Sequence, residues 1–340
     1  MRLVVLLALG LFACRSDRGP SSQQTAAPAH AEAGPSGAPS TLPGAPASAQ
    51  DPWAVAPKPA SADDPPDLAA RHKLAEAACP SVTGPYFFEI KKNGKTSWIL
   101  GTRHLGVPLT KFPAPVQDAI AAAKLAVFEV APDDDADLPE EKVVLPDVLG
   151  PALWKHYQEL VGADTAQALE SSAPAVAMLA MMAMYEDIGA TLDTEIQHKV
   201  VAAHVPTRGL ETSAFQDKLL NKILDLRMLK ASIEQTKDRK ELASESHDDL
   251  AQYCAGTDDT AGMDDDMRKD LLAAHYTEAE LAKIDEEMVY ARNADWIPKL
   301  EKLFTTDHVF IAVGADHLIG DRGVVALLKK RGYTVTRITK

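Results

Sequence analysis

Two apolar runs of this chain end in the same pattern, a glycine followed by two residues and a histidine. The first run ends at Leu100 and is followed by Gly101 and His104, and the second is followed by Gly314 and His317. With 19 Gly and 10 His in 340 residues, about 0.6 such pairs are expected by chance. Glycine permits a sharp turn directly after a strand. The repeat therefore predicts a paired functional role for the two histidines.

The two ends of the chain carry similar secondary-structure signals. Asn93-Gly94 predicts a type I′ turn between two strands, because both residues accept positive φ angles. A strand–helix–strand order is predicted at each end, and the middle of the chain shows mainly helical periodicity. The predicted segments are a strand at 86–92, a helix at 116–124, a strand at 125–130, helices within 138–303, a strand at 308–313, a helix at 321–331 and a strand at 333–338. We predict a mixed α/β fold with a central β-sheet and a large helical middle region.

The N-terminal region predicts export. Residues 1–14 combine a basic start, an apolar stretch too short to span a bilayer, and Cys14. The end of this segment resembles a bacterial lipoprotein signal, with Cys14 as the lipidated residue; an ordinary signal peptide with a chance cysteine is the alternative. Residues 15–66 are rich in Ala, Pro and Ser and predict a disordered tether. We expect a folded domain at 67–340, lipid-anchored in a bacterial cell envelope, at the outer membrane or facing the periplasm.

Charge and cysteine content narrow the classes of partner. The net charge is −14 and the chain has no dense Lys/Arg cluster, so it lacks the basic patch that a nucleic-acid-binding protein needs. Cys79 and Cys254 are not arranged as a zinc ribbon or a redox pair. In an oxidising compartment they could form a disulfide, and two buried thiols are the alternative.

Three charged residues outside the histidine motifs also stand out. Glu129 interrupts an apolar strand, so it either faces water on an edge strand or meets a partner such as a metal ion or an arginine. Glu211 lies in a short strand-like piece between helices. Arg292 lies on a helix that leads to the final strand, where the sequence favours an exposed charge over a buried anion ligand.

Two other segments have a plain and a functional interpretation. The Met-rich run 177–184 predicts core packing, with a flexible apolar substrate groove as the alternative. The acidic residues 264–266 predict a solvated face, with a calcium loop as the alternative, although their spacing does not match an EF-hand.

The separated motifs, taken in order, resemble the TraB/GumN family, bacterial relatives of the animal TIKI metalloproteases. The wider group includes erythromycin esterases and ChaN-like haem-binding proteins. The resemblance covers residues 87–338 and rests on segments 98–104, 127–130, 209–212, 292–293 and 310–318, with Gly320 and Gly323. Arg103 departs from the family pattern, which more often has an uncharged residue before the histidine. It could alter substrate choice or pair with Glu129.

The resemblance implies that both Gly-x-x-His loops meet at one end of the sheet and hold a divalent metal. His104 and His317 are then metal ligands, and Glu129 is a ligand or the general base. Glu211 is a second carboxylate near the site, and Arg292 stabilises charge on a scissile carbonyl. Two imidazoles and a carboxylate suit manganese, cobalt or zinc, and the metal would activate water near neutral pH.

The resemblance is compatible with two functions from different classes. One is a membrane-tethered, metal-dependent peptidase that acts on peptides or exported proteins. The other is a non-catalytic binding protein of the same fold, which sequesters a peptide signal or haem. The substrate and the oligomeric state stay open.

Overall fold

The computed structural model describes residues 65–134, 142–257, 262–263 and 265–339. The predicted signal segment at 1–14 lies outside the described residues, as does all of the predicted tether except Pro65 and Pro66. The first described element is helix α1, Leu68–Ala78, whose first turn is capped by the Asp67 carboxylate. The predicted domain boundary near residue 67 stays a prediction.

Most strands belong to one six-stranded sheet, in the order β6-β3-β7-β2-β1-β8. A separate two-stranded ladder joins β4 and β5. The strands are β1 Phe87–Lys92, β2 Lys95–Thr102, β3 Leu125–Val130, β4 Val143–Val144, β5 Ser171–Ser172, β6 Thr207–Glu211, β7 Val309–Gly314 and β8 Thr334–Arg337.

The predicted hairpin is present at the start of the sheet. Asn93 and Gly94 have φ angles of 53° and 74°, and Lys92 pairs with Lys95 across the turn. Strand β1 runs antiparallel to both β2 and β8, whereas β2, β7, β3 and β6 are mutually parallel. The mixed α/β prediction is confirmed.

Strand β7, near the end of the chain, lies between β2 and β3. This insertion brings the ends of the two Gly-x-x-His runs side by side, because Thr102 pairs with Gly314. It also places β3 in the interior of the sheet, between β6 and β7, where Glu129 is buried. The alternative of Glu129 facing water on an edge strand is therefore wrong.

The middle of the chain is mainly helical, as predicted. A π-helical turn at Glu286–Tyr290 leads directly into the helix Ala291–Leu303. The α-helices are α1 Leu68–Ala78, α2 Ala114–Ala122, α3 Leu145–Val161, α4 Ala163–Ala168, α5 Pro174–Met182, α6 Leu192–Ala202, α7 Ser213–Ile223, α8 Leu226–Gln235, α9 Arg239–Ala255, α10 Asp265–Ala273, α11 Glu278–Asp285, α12 Ala291–Leu303 and α13 Val324–Lys330. Within the described residues, no helix combines the length and apolarity needed to cross a membrane.

Two apolar cores stabilise the folded part. One surrounds the sheet and includes Ile99, Phe128 and Phe310. The other lies among the helices and contains Met178 and Met181 of the Met-rich run, both fully buried. The run is therefore core packing, and the substrate-groove alternative is wrong for these side chains.

Cys79 and Cys254 form a disulfide. The bond joins the segment after α1 to the end of α9, across a sequence separation of 175 residues. The backbone N–H groups of Thr83 and Gly84 donate to the Cys254 carbonyl beside it. Of the two alternatives that the sequence left open, a disulfide or two buried thiols, the structure contains the disulfide.

Candidate active site

The two Gly-x-x-His loops touch each other at the carboxyl edge of the parallel strands. A Cβ atom on Gly101 would lie 2.9 Å from the Cα of Ala315 and 2.9 Å from the Cβ of Tyr86. A Cβ on Gly314 would lie 3.2 Å from Glu129 Oε1. Glycine is needed at position 101 because the backbone of the second loop approaches it that closely, whereas a side chain at position 314 would crowd the Glu129 carboxylate. This edge is where open α/β sheets commonly bind ligands.

His104 is held by a carboxylate from the first turn of α6. Its Nδ1–H donates to Asp193 Oδ2 at 2.6 Å, and the Thr102 hydroxyl donates to Asp193 Oδ1 at 2.8 Å. Whenever the ring is neutral, this bond leaves Nε2 as the nitrogen that carries the lone pair. His104 Nε2 is buried and has no hydrogen-bond partner among the described residues. A buried polar atom without a partner is costly in a folded protein, and such an atom often marks a ligand position.

Burial and charge act in opposite directions on the His104–Asp193 pair. Burial lowers the pKa of His104, but the charge of Asp193, its hydrogen bond and the charge of Glu129 together raise the pKa above its ordinary value. Burial raises the pKa of Asp193, but the charge and hydrogen bond of His104 and the bond from Thr102 bring it below its ordinary value.

His317 is fully buried and neutral. Burial, the charge of Arg292 and the charge of His104 hold its pKa well below the ordinary value. Arg292 Nη1 donates to His317 Nε2 at 3.1 Å, so the ring proton lies on Nδ1, which donates to Asn293 Oδ1 at 2.6 Å. The ring also packs against Trp296, with centroids 4.3 Å apart. Both histidines therefore direct Nδ1 to a supporting residue; His104 Nε2 has no partner among the residues that the structure describes, whereas His317 Nε2 accepts from Arg292.

Arg292 joins the two glutamates that the sequence singled out. Its Nη2 donates to Glu129 Oε2 at 2.8 Å and to Glu211 Oε2 at 2.7 Å, and its Nε donates to Glu211 Oε1 at 2.9 Å. Arg292 is 2% exposed. The expectation of an exposed arginine is wrong, because the carboxyl ends of β3 and β6 place two carboxylates against this face of α12.

Neutral donors complete the hydrogen bonding of the two carboxylates. Gln216 Nε2 donates to Glu129 Oε2 at 2.9 Å, and the Gly314 N–H donates to Glu129 Oε1 at 2.7 Å. Trp296 Nε1 donates to Glu211 Oε1 at 2.9 Å. Two carboxylates facing one guanidinium leave one negative charge uncompensated within this buried cluster. This charge would favour a further cation beside the cluster.

A protein-family model matches most of the described part of the chain. The model of the TraB/PrgY/gumN family matches residues 86–337. The chain belongs to the TraB/PrgY/gumN family. The match begins just before β1 and ends in β8, so it spans the sheet and every site residue described above. No curated protein and no solved structure matches the chain.

Whether this family member can hold the metal that the resemblance implies depends on its donor atoms. No group of three His, Cys, Asp or Glu side chains in the described part of the chain is close enough to enclose an ion. The donor types nevertheless fit, and His104 Nε2 is buried without a partner. His317 Nε2 and Glu129 Oε1 are 3.9 Å apart. An imidazole nitrogen and a carboxylate oxygen are donor types that such an ion would accept. Arg292 is the group that contacts these two ligands instead.

Several residues of the site were not predicted from the sequence. Asp193, Gln216, Asn293 and Trp296 each bond to or pack against a predicted site residue. Asn293 adjoins Arg292 in the sequence, but no local signal distinguishes Asp193 or Gln216 from other polar residues in a first helical turn. They are found because the fold brings α6 and α7 to the strand ends.

Arg103 does not pair with Glu129. Both of its terminal nitrogens donate to the Glu186 carboxylate, at 2.7 and 2.6 Å, and Nη1 also donates to the Leu105 carbonyl. Ser246 of α9 donates to the same carboxylate at 3.0 Å. Arg103 therefore fastens the His104 loop to the segment that precedes α6, and its effect on substrate choice stays a prediction.

Proposed function

We propose that this protein is a metal-dependent peptidase, or a closely related hydrolase, tethered to the membrane of the cell envelope. The observation that carries the proposal is His104 Nε2, a buried nitrogen without a partner, on a ring that Asp193 orients. A carboxylate that accepts the other ring proton is the usual support of a metal-binding histidine. The negative charge left on the Glu129–Glu211–Arg292 cluster also favours a cation at this edge.

His104, His317 and Glu129 are the residues that would hold the metal, in keeping with the preference of manganese, cobalt and zinc for mixed His and carboxylate ligands. When bound, the metal would supply Lewis-acid activation of water near neutral pH. Asp193 and Asn293 each hold a histidine ring so that Nε2 faces the site. His104, Glu129, Asn293 and His317 are buried, which strengthens the charge interactions among these side chains.

The two glutamates are the candidates for proton transfer. Glu129 Oε1 accepts from the Gly314 N–H, and a carboxylate oxygen has a second lone pair with which it can take a proton from water. Glu211 is bound more tightly by Arg292 and Trp296, which suits a supporting role. Arg292 would stabilise charge on a scissile carbonyl after release from one carboxylate.

The proposed location rests on the sequence of residues 1–14 and 15–66. A lipidated Cys14 and an extended Pro-rich tether would hold the site away from the membrane surface. Peptides and exported proteins are then the substrates within reach.

The experiment is metal content and peptide hydrolysis by the full-length chain, after addition of manganese, cobalt or zinc. We expect His104→Ala and His317→Ala to lose metal and activity together, and Glu129→Gln to lose activity. His247→Ala is the control, because His247 is an exposed imidazole on α9. A parent protein that binds no metal and cleaves no peptide in a broad library would contradict the proposal and favour the non-catalytic binding protein, which binds peptide or haem unchanged.

A further inference from the structure

We propose that the Arg292 guanidinium binds His317 and Glu129, two of the residues that would hold the metal, and that a divalent metal must displace it from them. The inference rests on the proposed function, because it concerns the same site. It adds that metal binding and the Arg292–His317 contact are mutually exclusive. Metal loading then requires Arg292 to change its partners.

The exclusion follows from the chemistry of His317. A neutral imidazole has one unprotonated nitrogen with a single lone pair. In this structure that lone pair, on Nε2, accepts a hydrogen bond from Arg292 Nη1 at 3.1 Å. The other nitrogen, Nδ1, donates to Asn293 and is not available. His317 can therefore bind a metal through Nε2 only when Arg292 Nη1 has left.

Glu129 adds a charge effect to this competition. Its carboxylate accepts from Arg292 Nη2 at 2.8 Å, and its other oxygen lies 3.9 Å from His317 Nε2. A divalent ion that joined His317 and Glu129 would lie beside the guanidinium. Repulsion between two cations at that distance in a buried site disfavours both positions being filled at once. The guanidinium compensates the Glu129 charge when no metal is present.

Arg292 has a second place to bind after displacement. Its Nε donates to Glu211 Oε1 and Oε2 at 2.9 and 3.1 Å, and these bonds involve neither His317 nor Glu129. Its Cζ also lies 5.1 Å from the centre of the Trp296 ring, within cation–π range. The guanidinium can therefore stay on Glu211 while its terminal nitrogens leave the metal ligands. Glu211 is the residue that retains the displaced arginine.

The test is zinc affinity, measured by calorimetry on the full-length chain. The variants are Arg292→Met, Glu211→Gln and the double variant Glu211→Gln/Arg292→Met. The double variant loses one positive and one negative charge, so the charge of the cluster equals that of the parent. Arg227→Met is the control for net charge, since Arg227 pairs with exposed Glu280 between α8 and α11. His104→Ala in each background identifies binding at the site.

We expect Arg292→Met and the double variant to bind zinc at least about tenfold more tightly than the parent, and Arg227→Met to bind like the parent. Equal or weaker binding by the folded double variant would overturn the inference while leaving a metal-binding parent, and hence the proposed function, intact. Absence of zinc binding in the parent and every variant would contradict the inference, and absence of manganese and cobalt binding as well would contradict the proposed function. Binding by the variants alone would support the inference and show that Arg292 blocks the site.

A second measurement does not depend on a substitution at Arg292. Trp296 contacts both Arg292 and His317, so its fluorescence reports on their rearrangement. In a chain whose other tryptophans are replaced by Phe, zinc should change the Trp296 emission, and Glu211→Gln should alter the size of that change. Zinc binding with unchanged Trp296 emission would contradict displacement of Arg292.

Discussion

His104 and Asp193 form a hydrogen bond of 2.6 Å, although 89 residues separate them in the sequence. Asp193 also accepts from Thr102, so its two oxygens bind both ends of one Thr-Arg-His segment. This arrangement determines the ring orientation and the tautomer of His104 together.

Asp193→Asn should lower metal affinity by about 10- to 100-fold, because an amide NH₂ opposite Nδ1 favours the tautomer that protonates Nε2. Zinc calorimetry measures the loss. Asp164→Asn, which changes an exposed aspartate in the first turn of α4, is the matched control. If Asp193→Asn bound zinc like the parent, the tautomer of His104 would not matter for binding.

The ion pair of Arg103 and Glu186 is fully buried, with both side chains at most 4% exposed. Glu186→Gln should lower the free energy of unfolding by about 3–5 kcal/mol, because it leaves a buried guanidinium without its charge partner. The pair of Lys222 and Glu287, with side chains 56% and 26% exposed, is the comparison, where Glu287→Gln should lower the free energy of unfolding by less than about 1 kcal/mol. Urea denaturation of the parent and the two variants measures the free energy of unfolding of each. Equal losses in the two variants would contradict the prediction.

Gly101→Ala should destabilise the protein by about 1–3 kcal/mol, because the new Cβ must displace the backbone of the second histidine loop. The nearest atoms, in Ala315 and Tyr86, would be 2.9 Å away. Gly189→Ala is a milder control, since its nearest contact is an Asp187 side-chain oxygen at 3.3 Å. Thermal denaturation gives the melting temperatures of the two variants and of the parent. Similar melting temperatures for the two variants would show that the loops can separate without cost.

Loss of the Cys79–Cys254 disulfide should lower the free energy of unfolding by about 2–5 kcal/mol, since the bond restricts a long loop of the unfolded chain. Denaturation of the parent with and without a reductant measures the effect. The Cys79→Ser/Cys254→Ser variant should match the reduced parent and be insensitive to the reductant. A parent whose stability does not change on reduction would contradict this prediction.

The pH dependence of stability can be tested at Glu280. The hydrogen bond from Arg227, with further bonds from Thr277, lowers the pKa of Glu280 to about 2. A lowered pKa in the folded state means that the ionised carboxylate stabilises the protein above the unfolded-state pKa of about 4.3, and that this contribution is lost as the pH falls toward 2. Glu280→Gln should therefore be less stable than the parent at pH 7 and approach it at pH 3. A stability difference that is the same at both pH values would contradict this.

Much of the fold could be predicted from short stretches of sequence. The Asn93-Gly94 turn, the strands that end in Gly-x-x-His and the helical middle all depend on local backbone preferences and on residue periodicity. The burial of the Met-rich run follows from its composition. These features were predicted because neighbouring residues alone decide them.

The partners of the site residues depend on the order of the strands. The sequence by itself determined the types of side chain at the strand ends: His104, Glu129, Glu211 and His317. Only the tertiary structure decided that β7 inserts between β2 and β3, that Arg292 is buried between two glutamates, and that Asp193 supports His104. The physical reason is that parallel strands are joined by long crossovers, whose local sequence does not specify which strands become neighbours.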